Sequence, residues 1–288
     1  MLTSDPRITG VVFTGGTDTA QIINRALAAR ENAPLATLIA ETGGMNAMIV
    51  DSTALPEQVV VDVIQSAFQS AGQRCSALRV LYLQDDVADR VIEILKGAMN
   101  ELRIGDPRDL GTDVGPVIDE EARKGLMEHI KKLKAENRLV AETPMAAEHT
   151  QDGTFVAPVA FTIDSIDSLT REQFGPILHI VRYKASELDK VINDINGRNY
   201  GLTFGVHSRN ESFAAEIAQK MRVGNVYINR NIIGAVVGVQ PFGGQGLSGT
   251  GPKAGGLHYL QRFVTEKTIT NNTAALGGNA SLLALGDE

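Results

Sequence analysis

An α/β architecture is expected for this chain on three observations. Short apolar runs of strand length alternate with longer segments whose apolar residues recur at helical spacing. Glycines punctuate the joins between them. With 288 residues, 43% of them hydrophobic and 21% charged, the chain has the length and composition to bury a large core, with room for two domains.

In chain order, Val11, Val12 and Phe13 read as a short buried strand opening on Thr14-Gly15-Gly16-Thr17, and the helix that follows carries Ile22, Ile23, Ala26 and Leu27 on one face. Residues 37–40 form the next strand, ending at Glu41, and residues 46–50 another. Leu55, Val59, Val63 and Phe68 mark an amphipathic helix that delivers the chain to Cys75. Residues 79–84 alternate as a strand does. Val87, Val91, Ile94, Ala98 and Leu102 mark a helix stopped by Gly105-Asp106-Pro107. Residues 119–134 form a charged surface helix with Leu126, Ile130 and Leu133 facing inward. Strands at 155–162, 178–183, 202–207 and 225–228 and helices at 187–195 and 211–221 complete the alternation. Residues 259–270 alternate apolar and polar side chains and suggest one or two edge strands.

A net charge of −7, with no basic run interleaved with aromatics, argues against nucleic acid as a partner. A single cysteine excludes an internal disulfide and a thiolate-rich metal site, and five scattered histidines lack ligand spacing, so no metal is expected. The first residues lack the apolar core of a signal peptide, and no apolar run approaches the roughly 20 residues of a membrane span. A soluble, cytoplasmic protein is the expectation.

The chemistry centres on Ser70-Ala71-Gly72-Gln73-Arg74-Cys75-Ser76-Ala77. A lone cysteine is often a small buried hydrophobe. Here a helix ends, a glycine breaks the chain, a cation adjoins the thiol and a strand follows, a setting that can lower a thiol pKa. Arg74 can favour the thiolate or point to solvent. Glu41, 34 positions upstream, ends a strand and precedes Gly43-Gly44; alone it could be a solvated strand end. Together, Glu41-Thr42-Gly43-Gly44 and Gly72-Gln73-Arg74-Cys75 resemble the E-x-G-G and G-Q-x-C motifs of the aldehyde dehydrogenase superfamily. That resemblance implies Glu41 as general base and Cys75 as nucleophile.

Further motifs extend the resemblance. A strand, a glycine turn and a helix N-terminus can hold a phosphate, although many such turns bind nothing. Phe13-Thr14-Gly15-Gly16-Thr17 resembles the F-T-G-S-T turn of the family, with glycine at position 16 where serine is usual; the resemblance implies that Thr14, Gly15, Gly16 and Thr17 contact NAD. Glu172-Gln173-Phe174-Gly175-Pro176, otherwise an ordinary loop, resembles the family's E-x-F-G-P. This implies Glu172 at the nicotinamide ribose hydroxyls and Phe174 beside it. Pro241-Phe242-Gly243-Gly244, followed by Ser248-Gly249-Thr250-Gly251, is a further hallmark, and the preceding Ile233–Gln240 stretch narrows the resemblance to the glutamate-semialdehyde (pyrroline-5-carboxylate) dehydrogenases. In that branch Ser76, Gly234 and Ala235 would cradle the substrate's α-carboxylate, and Phe242, like Phe174, would line the pocket or be plain core.

The fold implied is a partial aldehyde dehydrogenase: residues 1–43 as the end of a Rossmann-type NAD domain, 44–242 as the catalytic α/β domain, 243–257 as a return segment, 258–272 as oligomerisation strands and 273–288 as a tail. Residues 271–283 resemble the tail of the bacterial proline utilization A family, whose members join a proline dehydrogenase, which carries FAD, to this dehydrogenase. The earlier cofactor strands, a lysine for the adenine ribose and an oxyanion-hole asparagine have no counterpart, which suggests a fragment of a longer parent. The expected activity is NAD-dependent oxidation of L-glutamate γ-semialdehyde by a homo-oligomer. A dehydrogenase for another aldehyde and a non-catalytic assembly module are the alternatives.

Overall fold

A computed structural model of the chain describes residues 2–146, 150, 153–272 and 275. Eleven strands and six helices alternate among the described residues: β1 (Gly10–Thr14), α1 (Thr17–Ala28), β2 (Thr37–Glu41), β3 (Ala47–Val50), α2 (Pro56–Phe68), β4 (Val80–Gln84), α3 (Asp85–Asn100), α4 (Glu120–Ala135), β5 (Leu139–Glu142), β6 (Val159–Thr162), β7 (Ile177–Tyr183), α5 (Leu188–Gly197), β8 (Tyr200–Gly201), β9 (Thr203–His207), α6 (Glu211–Lys220), β10 (Asn225–Ile228) and β11 (Gln245–Gly246).

Seven strands form one sheet in the order β10-β9-β3-β4-β7-β6-β5. Every pairing in it is parallel except β5 with β6. Central parallel strands are covered on both faces, so their sequences are apolar throughout, and all five residues of β4 are buried. The strand period of two divides them between two cores. Met48, Val50, Leu81 and Leu83 face α2, α3 and α4 in the first core. Ala47, Ile49, Val80 and Tyr82 face Val191, Ile192 and Ile195 of α5 and Ala214 and Ile217 of α6 in the second. The charged helix α4 buries Leu126, Ile130 and Leu133 as its spacing required, and Asp119 caps it by accepting from the Ala122 N–H at 2.8 Å.

A separate parallel pair, β1 with β2, stands beside this sheet. Residues 242–254 run back along β2, where Glu41 bridges Gly249, the Thr42 N–H donates to Ser248 O at 2.9 Å and the Thr250 N–H donates to Ala40 O at 2.9 Å. Several candidate residues sit at strand ends of these two sheets. Glu41 closes the C-terminal end of β2, whereas Asn46, Arg79 and Pro176 each directly precede strands β3, β4 and β7 of the large sheet.

Three expectations need correction. Residues 259–270 form no strand within the chain itself: a short 3₁₀ turn at Leu260–Phe263 is followed by exposed chain. Alternation alone cannot make a strand without a neighbour to accept its ladder. Strand β6 begins only at Val159, because Pro158 cannot donate to a ladder. Ile22 is 47% exposed; Ala20, Ile23 and Leu27 form the buried face of α1 instead. Strand β5, which covers the sheet edge, carried no period strong enough to read. Most of residues 271–283, on which the tail resemblance rests, lies outside the described residues. No described helix is long and apolar enough to cross a membrane.

Candidate active site

Helix α2 ends at Phe68, and the chain then turns through Ser70, Ala71 and Gly72 at φ of 56°, 53° and 63°. Three successive left-handed residues are unusual, since the first two carry a Cβ that this conformation crowds. Gly72 has a second reason to be glycine, because a Cβ there would lie 2.2 Å from Gly175 O. The Gln73 side chain holds the turn, donating to Pro116 O at 3.1 Å and accepting from the Ile118 N–H at 2.8 Å.

This turn presents Cys75, half-buried and free, to a cavity of about 550 Å³. The cavity is also lined by Ser76, Ala235, Gln240, Phe242 and Gly255. Four of the sequence candidates therefore meet: Cys75, Ser76, Ala235 and Phe242. Gly234 does not line this cavity; it is exposed at φ 72°, the left-handed residue that turns the chain ahead of Ala235.

Burial pushes the Cys75 thiol above its ordinary value, and the nearby Glu172 and Glu41 carboxylates push the same way. The N–H groups of Ser76 and Cys75 act in the opposite sense by facing the sulfur. Arg74 also lines the cavity and donates to Ser70 Oγ at 3.2 Å. The buried side chain of Asn46 fixes the loop from below, donating to Cys75 O at 2.7 Å and Ala77 O at 2.9 Å and accepting from the Thr203 N–H at 3.1 Å.

Glu41 is no solvated strand end. Its Oε2 accepts from the Gly244 N–H at 2.9 Å, while Oε1 is buried without a hydrogen-bond partner. Burial raises its carboxyl to about 7, opposed by the Gly244 N–H and the Lys253 charge. Gly243 packs close against it, and a Cβ there would lie 2.6 Å from Oε1, so a larger residue would displace the carboxylate. The Lys253 ammonium is anchored on Gly224 O.

Glu172 lies on the other side. Arg79 donates to its Oε1 from Nε at 3.1 Å and Nη2 at 2.9 Å, and the Gly44 N–H donates to Oε2 at 3.2 Å. Burial still pushes the carboxyl up against these three stabilising contacts. Phe174, 44% exposed, stacks under the Arg79 guanidinium at 5.2 Å.

The remaining candidates lie at the head of α1. Thr14, Gly15 and Gly16 are exposed, and Gly16 caps the helix without a side-chain hydrogen bond. Thr17 Oγ1 donates to Leu247 O at 3.2 Å, tying this turn to the glycine-rich return segment. The first N–H groups of a 12-residue helix thus remain open to an anion. That opening can take the phosphate of a dinucleotide, which a closed structural turn could not.

The sequence reading missed Asn46, Arg79 and Lys253. A signal existed for the second: an arginine entering an apolar strand must find a partner for its charge.

Residues 1–269 match the Aldehyde dehydrogenase family, and the chain belongs to it. Among curated proteins it is 55% identical over 273 residues to "Bifunctional protein PutA" of Klebsiella aerogenes, covering 92% of this chain and 21% of that one. It is 36% identical over 273 residues to "1-pyrroline-5-carboxylate dehydrogenase" of Geobacillus sp. (strain WCH70), covering 93% of this chain and 52% of the relative. A crystal structure of a Bradyrhizobium japonicum Proline Utilization A (PutA) mutant superposes with a TM-score of 0.90 at 59% identity, over 96% of this chain and 28% of that one. The chain therefore spans about a fifth of the PutA relative's length and about half of the dehydrogenase's.

Proposed function

We propose that this chain oxidises L-glutamate γ-semialdehyde with NAD through Cys75. The observation that carries the reading is the meeting of the only cysteine with Ser76, Ala235 and Phe242 around one cavity, with a partly unpartnered carboxylate close enough to act on its thiol. The names of the PutA and pyrroline-5-carboxylate dehydrogenase relatives supply the substrate class.

Cys75 Sγ attacks the aldehyde carbon as thiolate, forming a thiohemiacetal whose oxygen lies near the N–H groups that face the sulfur. The Ser76 hydroxyl and the backbone at Ala235 suit the substrate's α-carboxylate. NAD, when bound, supplies the electron-pair acceptor for the oxidation; Thr14 to Thr17, Glu172 and Phe174 are the residues that would hold it. Glu41 then takes a proton from the water that attacks the acyl carbon on Cys75. A carboxyl raised to about 7 is well placed for this, because it is close to neutral pH in both directions of transfer.

The test is incubation of the chain with NAD and glutamate semialdehyde, followed by absorbance of NADH, with Cys75→Ala as control. Formation of NADH that depends on Cys75 is the expected result. A folded chain that forms none, or a Cys75→Ala chain that still does, overturns the reading for this chain.

A further inference from the structure

Arg79 is fully buried at the entrance to β4, and its side chain spends every donor it has. Nη1 donates to Gly72 O at 2.7 Å and Gly175 O at 3.2 Å, Nη2 to Arg74 O at 3.1 Å and Glu172 Oε1 at 2.9 Å, and Nε to Glu172 Oε1 at 3.1 Å. Two of these acceptors belong to the loop that carries Cys75, and the others to the opposite wall, residues 172–175. The planar fork of a guanidinium can bridge two walls in this way; an ammonium, with three donors on one point, cannot. The main chain of Arg79 is held just as firmly, by Asn46 O at 2.9 Å and by the N–H and Nδ1 of His179 at 3.0 Å each.

We propose that Arg79 is a positioning residue for Cys75: it stitches the nucleophile loop to the Glu172 wall and sets its positive charge against the Glu172 carboxylate that faces the thiol. This rests on reading Cys75 as the nucleophile. The charged groups bearing on the sulfur are Glu172 and Glu41, with Lys253 behind Glu41 and Arg79 behind Glu172. Arg74 is the fifth nearby charge, turned toward Ser70. Without Arg79, the carboxylate nearest in effect to Cys75 would stand uncompensated.

Because Cys75 is the only cysteine, the rate of alkylation by iodoacetamide against pH reports its thiolate alone. Arg79→Gln is expected to move the midpoint up by about one pH unit, a tenfold loss of thiolate below the midpoint. Adding Glu172→Gln to that variant should restore it. A purely structural role would loosen the loop and lower the midpoint, since exposure relieves the burial that raises the thiol. An unchanged or lowered midpoint in Arg79→Gln, or a shift that Glu172→Gln fails to reverse, overturns the proposal. If Arg79→Gln does not fold, Glu172→Gln alone decides: it leaves the arginine charge unopposed and should lower the midpoint by about one unit, and no shift sinks the idea. These measurements need no cofactor. Alkylation shifts as expected without any NADH formation would therefore overturn the proposed function while leaving the role of Arg79 intact.

Discussion

Two carboxylates flank the same thiol, and they are built differently. Glu172 is pinned by a buried guanidinium and the Gly44 N–H, whereas Glu41 makes one hydrogen bond and leaves its other oxygen buried and empty-handed. An acid with both oxygens committed is a strut. One with an idle oxygen and a carboxyl at about 7 can change its protonation without dismantling its surroundings. The difference separates a carboxylate held in place from one free to exchange a proton, although both residues are glutamate, both are near Cys75 and both precede glycine-containing turns.

The strongest way to break the comparison is to remove the pin. Arg79→Met should lower the unfolding free energy by about 3 kcal/mol, because truncating one partner strands a buried charge. Chemical denaturation measures this directly, and a loss below about 1 kcal/mol would mean that Glu172 does not depend on Arg79. A smaller effect on folding but a clear one on turnover is expected from Glu41→Gln. Steady-state NADH formation should fall about 100-fold, with the first-turnover burst retained. The sign of the pH dependence follows from the raised carboxyl. The base form is lost as pH falls through about 7, so wild-type acyl hydrolysis should drop below that pH, and the drop should vanish in Glu41→Gln. A steady state that matches wild type would remove Glu41 from the mechanism. The least effect belongs to the turn on the Glu41 side. Gly16 has ordinary extended backbone with open space at its Cβ, so Gly16→Ser should add a few tenths of a kcal/mol through capping. Thermal unfolding measures it, and a decrease would show that the turn cannot hold a side chain.

Legibility in the sequence followed the range of each interaction. Helices with a local period, such as α4 with Leu126, Ile130 and Leu133, came out residue by residue. The meeting of Cys75, Ser76, Ala235 and Phe242 at one cavity was legible because fixed glycines and aromatics surround them, although Gly234 turned out to shape the chain and not the cavity. Arg79 and Asn46 were not: an arginine in an apolar strand signals only that it needs a partner, and no local pattern locates partners that lie as far as 157 positions away. Residues 259–270 failed for the opposite reason: their alternation is a local pattern that needs a distant neighbour to become a strand.

The left-handed turn at Ser70, Ala71 and Gly72 has an electrical outcome. Beyond it, the carbonyl oxygens of Gly72 and Arg74 aim at Arg79 and that of Cys75 at Asn46, all away from the sulfur, while the N–H groups of Cys75 and Ser76 aim toward it. Peptide dipoles along this stretch are thus sorted, negative ends inward to donors and positive ends outward to Sγ. Beside two acids, neutral backbone thus adds a positive field at Sγ to the compensation that Arg79 gives Glu172.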